Sequence, residues 1–323
     1  MLARVFTVAV AALFFTASSL AARAQDYPTR YIRIVNPYTP GGPADSILRL
    51  LAPKMEEVLG QKLVIENKPG AAGNIGTIEV ANSPADGYTI LMAATNNLVI
   101  NQFVTKMSVD PLQTLKPVAK IVDVPIVLFS NPSVPAKDFK QFMSHVRSHP
   151  GKINYGTPGQ GTVNHLLMER MKQTTGMDML HIPYRGGAPG ILAVMSNDIQ
   201  LFAVGLVVGA GQLKDGKITA LAVSTADRLG ALPDVQTLTE AGLTGLSAAN
   251  WWALAVPVGT PEHAVRKLRE ALQAALREPQ LIERFETLGL VVPKESPDNF
   301  ADGLKAEAAL WSETVRKGSI TVQ

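Results

Sequence analysis

The sequence predicts an α/β protein of two lobes with a cleft between them. Three observations predict it. The chain has 323 residues, enough for two domains of ordinary size. Strand-like and helix-like stretches alternate from residue 31 onward, the pattern of layered α/β architecture. Four loops of small polar or glycine residues each follow a strand: Gly41-Gly42, Asn96-Asn97, residues 159–162 and Gly186-Gly187. Two lie on each side of a composition shift near Pro117. In an open α/β sheet such loops gather beyond the carboxyl ends of the strands, where ligands bind.

The elements follow in order. Residues 1–24 read as a signal peptide that is absent from the mature fold. Arg4 supplies a positive start, residues 5–20 an apolar stretch, and Ala22-Arg23-Ala24 a cleavage site that leaves Gln25 first. A membrane anchor is the rival reading, countered by Thr7, Thr16, Ser18 and Ser19 within the run. Tyr31-Ile32-Arg33-Ile34-Val35 reads as a buried strand. The turn Pro37-Tyr38-Thr39-Pro40-Gly41-Gly42-Pro43-Ala44-Asp45 leads into a helix over 46–59 that Gly60 stops. Free amides and the dipole make such a helix start an anion site, so the turn is either one wall of a carboxylate pocket or a plain structural turn. A strand over 62–66, a glycine loop, and a helix over 75–81 capped by Asn74 come next. Asp86-Gly87 turns into a strand over 88–94.

Beyond Pro117, residues 118–121 and 126–129 read as two short strands around Pro125. A helix over 139–149 stops at Pro150-Gly151. Residues 154–156 form a strand ending in Thr157-Pro158-Gly159-Gln160-Gly161-Thr162, and a helix over 163–174 follows. Strands over 180–184, 199–204 and 219–224 alternate with a helix over 191–196 and a loop or helix start at 205–211. Residues 246–256 are an apolar stretch with Trp251-Trp252, read as core or hinge packing. Helices over 261–277, 279–287 and 297–317 complete the chain, the last capped by Ser296.

Composition excludes several functions. Removing the signal takes away Arg4 and Arg23 and leaves 28 basic against 27 acidic residues, so nothing marks a nucleic-acid partner. There is no cysteine, which excludes thiol nucleophiles, thiolate metal sites and disulfides. A mature chain of this length can rely on its core alone. No later run is long and apolar enough to cross a membrane. The five histidines lack zinc spacing; His145 and His149 are four apart but have no third ligand. Gly-x-Ser-x-Gly and the phosphate-binding glycine motifs are absent. His165, one turn into its helix, is either a capping or core residue or a donor to loop or ligand. Arg185 either pairs with a carboxylate or is a solvated loop residue. A periplasmic hydrolase using Thr162 and His165 stands as the alternative from another class.

These residues carry a resemblance. Residues 37–45, Val64-Ile65-Glu66-Asn67-Lys68-Pro69-Gly70, Gly73-Asn74-Ile75-Gly76 and Pro84-Ala85-Asp86-Gly87-Tyr88-Thr89 match a known pattern in order. So do Gly159-Gln160-Gly161-Thr162, His181-Ile182-Pro183-Tyr184-Arg185-Gly186 and Pro257-Val258-Gly259-Thr260-Pro261. The chain resembles the periplasmic solute receptors of tripartite tricarboxylate transporters, the Bug or TctC-like proteins. The resemblance implies a two-lobed periplasmic binding protein of type II-like form that closes on a small carboxylic acid, without catalysis, cofactor or metal. It implies transporter membrane components as partners, with a sensor kinase as the alternative recipient, and a monomer. It assigns Tyr38, Thr39, Gly42, Ala44 and Asp45 to one wall, with Thr95 and Asn96 beside them. Thr157, Gly161, Thr162 and His165 form the opposing wall, with Tyr184, Arg185 and Val204 nearby. Asp45 is expected to orient its loop, since a second carboxylate would repel the ligand. Tyr38 stands where the family commonly has phenylalanine, Thr157 where it has serine and Gln236 where it has proline. Many relatives carry an acid at the position of Val204; its absence disfavours an amino-acid ligand. One lobe is expected to comprise residues 25–120 and 249–323, the other residues 121–248.

Overall fold

The computed structural model describes residues 27–322. The expected signal peptide and its cleavage site lie outside the described residues. In chain order the strands are β1 Ile32–Asn36, β2 Leu63–Asn67, β3 Thr89–Ala94, β4 Leu115–Ser130, β5 Ile153–Thr157, β6 Met179–Pro183, β7 Leu201–Gly205, β8 Thr219–Val223 and β9 Ala249–Pro257. The helices are α1 Pro43–Leu59, α2 Asn74–Ala81, α3 Asn101–Val104, α4 Pro111–Thr114, α5 Phe139–Ser148, α6 Val163–Thr175, α7 Gly187–Met195, α8 Leu206–Lys214, α9 Glu262–Leu276, α10 Pro279–Thr287 and α11 Pro297–Gly318. A π-helical turn, Thr95–Ile100, joins β3 to α3.

The strands lie in the order β2-β1-β3-β9-β4-β7-β5-β6, with β8 also on β4. β2, β1 and β3 are parallel, as are β7, β5 and β6. β4 joins the two halves. It runs antiparallel to β9 from Leu115 opposite Pro257 to Pro125 opposite Ala249. From Ile126 to Ser130 it runs antiparallel to β7, with β8 alongside. The two short strands expected around Pro125 are therefore one strand of sixteen residues. Proline lacks an amide donor, so a proline-interrupted run reads as a break. Here Pro117 sits where the register with β9 shifts, and Pro125 is the last residue paired with β9.

Other boundaries move for local reasons. α1 starts at Pro43, whose missing amide costs nothing at the first helical position. α7 begins at Gly187 and carries Pro189 in its first turn. Asn74 is the first residue of α2 rather than its cap; its side chain accepts from Asn101 Nδ2 at 2.6 Å. Ser296 caps α11 as expected, accepting from the Asn299 amide at 3.2 Å.

The core has three parts. Ile32, Ile34, Ile47, Leu48, Leu51, Leu268, Leu272 and Phe285 fill the space between the first half-sheet, α1 and α9. Phe129, Ile191, Val194, Phe202 and Val204 fill the far lobe. A third cluster runs from Leu91 and Leu98 through Trp251 and Trp311 to Phe142, Tyr155 and Leu166, so apolar packing is continuous across the junction.

Candidate functional site

The parallel strands of each half-sheet point their carboxyl ends toward the junction, and each is followed by a helical start. On one side these are α1, α2 and the π-helical turn; on the other, α6, α7 and α8. Helix starts expose amides ahead of the first intrahelical bond and carry positive dipole charge. Across the six strand-to-helix turns the only acidic side chain is Asp45.

Asp45 is occupied. Its carboxylate accepts from Arg49 at 2.8 and 3.2 Å, from the Gly41 amide at 3.0 Å and from Asn67 Nδ2 at 3.3 Å. Arg49 above all, with the Gly41 amide and Asn67, holds the carboxyl below its ordinary range against the opposing effect of burial. Asn67 also donates to the Tyr38 carbonyl at 3.1 Å. Asp45 thus fastens residues 38–41 to the helix and to β2. The turn itself needs Gly41 in the left-handed region, φ +73. Ser46 donates to the Gly42 carbonyl at 3.0 Å, which leaves the amides of Ala44 and Asp45 ahead of the first helical bond. The Ala44 methyl is buried and Thr39 is exposed. Tyr38 stands edge-on to Trp252, ring centroids 5.1 Å apart, and burial pushes its hydroxyl up.

Thr95 is wholly buried. Its Oγ1 accepts from the Trp251 amide at 2.8 Å, joining the turn after β3 to β9. Asn97 caps the same turn by accepting from the Ala94 amide at 2.6 Å. Asn96 reaches across the junction: its Nδ2 donates to the Gly161 carbonyl at 3.1 Å.

On the far side, Thr162 caps α6, accepting from the His165 amide at 3.3 Å and donating to the Gly159 carbonyl at 2.7 Å. His165 Nδ1 receives the Gly161 amide at 3.1 Å. A ring nitrogen that accepts from an amide is unprotonated, so Nε2 carries the hydrogen. Thr162 and His165 therefore do not form a nucleophile–base pair: Thr162 Oγ1 gives its hydrogen to the Gly159 carbonyl, and His165 Nδ1 is taken by the Gly161 amide. The His165 ring stacks on His181 at 3.8 Å, and His181 stacks on Tyr155 at 4.9 Å. Burial pushes His165 down to about 4 and His181 down to about 3. Thr157, wholly buried, lies 2.7 Å from His181 Nε2 and donates to the Gly159 carbonyl at 3.1 Å. The Tyr155 hydroxyl donates to Glu169 at 2.5 Å, which Lys172 also meets at 2.8 Å. The column of three rings is the base on which the glycine loop rests.

Tyr184 is half-buried, edge-on to Phe202 at 5.9 Å, and its amide donates to the Thr157 carbonyl at 2.9 Å. Arg185 is exposed, and among the described residues no carboxylate lies within 4.0 Å of it. Val204 is 4% exposed in the far-lobe core. It faces Gly187, where an added Cβ would come 3.2 Å from Val204 Cγ2.

Sequence reasoning missed Asn164 and Asn250. Asn250 Nδ2 donates to Asn164 Oδ1 at 3.1 Å, and Asn164 Nδ2 donates to the Ala203 carbonyl at 3.1 Å. Their positions, just after the Thr162 cap and just before Trp251, were the available signal. Missed too was Asn36, wholly buried at the end of β1 with neither amide atom partnered.

The family model described as "Tripartite tricarboxylate transporter family receptor" matches residues 47–317. The chain is 38% identical over 283 residues to a UPF0065 protein of Bordetella pertussis, covering 88% of this chain and 87% of that protein. It is similar to the solved structure of R. palustris Rpa4515 with adipate, at 32% identity and a TM-score of 0.79, covering 91% of this chain and 99% of that one. It is likewise similar to the periplasmic binding protein BugD, at 32% identity and a TM-score of 0.75, covering 92% of this chain and 100% of that one.

Proposed function

Because the chain belongs to the tripartite tricarboxylate transporter receptor family, we propose that it captures a small carboxylic acid between its lobes in the periplasm and hands it to the membrane components of such a transporter. The family is one of receptors, and the chain is not an enzyme. The observation that carries the carboxylate reading is the set of six helix starts facing the junction, in whose turns the one acid, Asp45, is already paired. Each helix start contributes roughly 0.3–1 kcal/mol toward an anion, and more where solvent is excluded. Adipate, seen with Rpa4515, is a dicarboxylate.

The first carboxylate sits, on this reading, between the amides of Ala44 and Asp45 and the start of α6, with Thr39, Gly42, Thr95, Asn96 and Thr162 around it. Thr157, Gly161 and His165 support the loop from beneath. Arg185 meets a second carboxylate, and Val204 offers an apolar wall without a charge for an ammonium group. The ligand is then an unsubstituted or apolar acid with two carboxylates rather than an amino acid. The lobes hinge where β4 changes sheet at Pro125–Ile126 and where the chain re-enters at Ala249. One lobe is 27–125 with 249–322, the other 126–248. The receptor acts as a monomer, cleaved after Ala24. A sensor kinase is the other recipient to test.

A thermal-shift screen over mono-, di- and tricarboxylates and aspartate tests the reading. Dicarboxylates should raise the melting temperature by several degrees, because only the folded form binds. A rise with aspartate alone would overturn the ligand class, and no rise with any acid would overturn the receptor reading.

A further inference from the structure

The chain beyond α11 turns back into the molecule. Ser319 adopts a left-handed conformation, φ +49, and Ile320 packs into the core that runs through the junction. The Val322 amide then donates to the Val104 carbonyl at the end of α3, 2.9 Å away. From the other side Gln160, in the far-lobe glycine loop, donates its Nε2 to the Thr321 carbonyl at 2.6 Å. The next residue, Gly161, lies against the same segment: an added Cβ would come 2.6 Å from Val322 Cγ2 and 3.2 Å from Val104 Cγ2. Gly161 also has φ +72. Two separate demands, a left-handed backbone and no room for a side chain, therefore meet at the residue that faces the tail.

We propose that residues 319–322 form a clasp that seats the 159–162 loop against the first lobe when the lobes close, which makes Gln160, Gly161 and Val322 positioning residues for the ligand site. The proposal rests on the receptor reading above. Val322 and Val104 move together, since both belong to the first lobe. The Gln160–Thr321 bond and the Gly161–Val322 contact join different lobes, so opening must break them. Contacts present in only one of two conformations bias the equilibrium toward that conformation. The clasp stands outside the two strands that carry the chain between lobes, so its loss leaves the connection intact.

The sequence has no cysteine, so two introduced cysteines take labels cleanly. Exposed Gln280 on one lobe and exposed Ala210 on the other are suitable sites. In the full-length chain, Gln280→Cys and Ala210→Cys carry spin labels, with and without the paired substitutions Gln160→Ala and Val322→Gly. Pulsed dipolar spectroscopy reads the interlobe distance. Stopped-flow fluorescence with succinate and adipate reads ligand release. The expected result is a shift of the clasp variant toward longer distances and about tenfold faster release, from one lost hydrogen bond and one lost apolar contact, with association changed less than twofold. Unchanged distances together with release within twofold of the parent would overturn the clasp. If the double variant melts early, Gly161→Ala asks the same question from the loop side and must give the same two shifts. If neither acid binds the parent, the dicarboxylate reading has failed and the distance measurement alone decides the clasp.

Discussion

Acid should destabilise this protein through the ring column beneath the glycine loop. His165 is 5% exposed, accepts the Gly161 amide on Nδ1 and stacks from α6 onto His181. Burial disfavours its protonation and outweighs Glu169, 3.9 Å from Nε2, which favours it; Lys172 adds to burial, and the value is pushed down to about 4. An unfolded histidine titrates near 6.5. Because the folded value is the lower one, the unfolded chain binds the extra proton between the two, and stability falls as pH drops from about 6.5 toward 4. At pH 5 one such histidine costs roughly 2 kcal/mol, from an unfolded state about thirtyfold protonated and a folded state barely so. With an unfolding entropy of about 2.1 cal/mol/K per residue, that lowers the melting temperature by about 3 °C in a chain of this size. His181, pushed down to about 3 by burial first and His165 second, acts in the same direction. The assay is calorimetry of the parent and of His165→Gln at pH 7, 6 and 5. The glutamine carbonyl can still accept the Gly161 amide but cannot titrate. The variant should lose about half of the pH dependence in this window. A parent whose melting temperature is flat from pH 7 to 5, or a variant with the parent's full slope, would mean that His165 does not set the acid response.

Arg185→Gln should weaken binding of dicarboxylates by tenfold or more and leave monocarboxylates within about twofold, read by titration calorimetry, since a charge-assisted pair is worth roughly 1.5–3 kcal/mol. Asp45→Ala should cost about 2 kcal/mol in urea unfolding, because Arg49, the Gly41 amide and Asn67 lose a shared acceptor. Asn36→Leu removes two buried polar atoms that have no partner and should raise the urea midpoint by an amount equivalent to about 1 kcal/mol; a lowered midpoint would mean the amide is satisfied by an ordered water.

The alternation of strand and helix was legible because each signal is local: an apolar run of period two, a glycine or proline, then an apolar run of helical period. The length of β4 was not legible. Its two prolines look like breaks, and only the register shared with β9 shows that the ladder needs no donor there. The loops between strands and helices were legible for the same reason as the helices, since glycine and a small polar residue before an apolar run mark a helix start. The work of each side chain was less so. A threonine beside a glycine looks alike whether its hydroxyl faces ligand or protein. Thr157 meets His181, 24 residues on, and Asn96 meets Gly161, 65 residues on. Such pairings depend on how the sheet brings distant loops together, which no local pattern encodes.

The hinge proposed above depends on the same long-range order, and on that reading it ends at one residue. Ser224 Oγ accepts from the Ile126 amide at 3.0 Å and donates to the Ala248 carbonyl. Its backbone repeats the pairing: the Ser224 amide donates to the Ile126 carbonyl, and the Ala248 amide donates to the Ser224 carbonyl. Both crossing segments are thus tied to the end of β8, and Ser224 is wholly buried. On that reading bending falls on the first-lobe side of Ile126 and Ala248, where β4 and β9 pair with each other, β9 pairs with the end of β3 and Asp123 bridges to Val291, all within the first lobe. Pro125 lies there and has no amide to lose when the ladder flexes. Ser224→Ala keeps the backbone pairing but strips a partner from the Ile126 amide and from the Ala248 carbonyl, at a cost of roughly 1–3 kcal/mol for buried groups left unpaired. With the tie loosened the bend can spread into the far lobe. The variant should therefore melt several degrees lower and also broaden the interlobe distance distribution of the labelled chain. A lower melting temperature with an unchanged distribution would place the bend elsewhere.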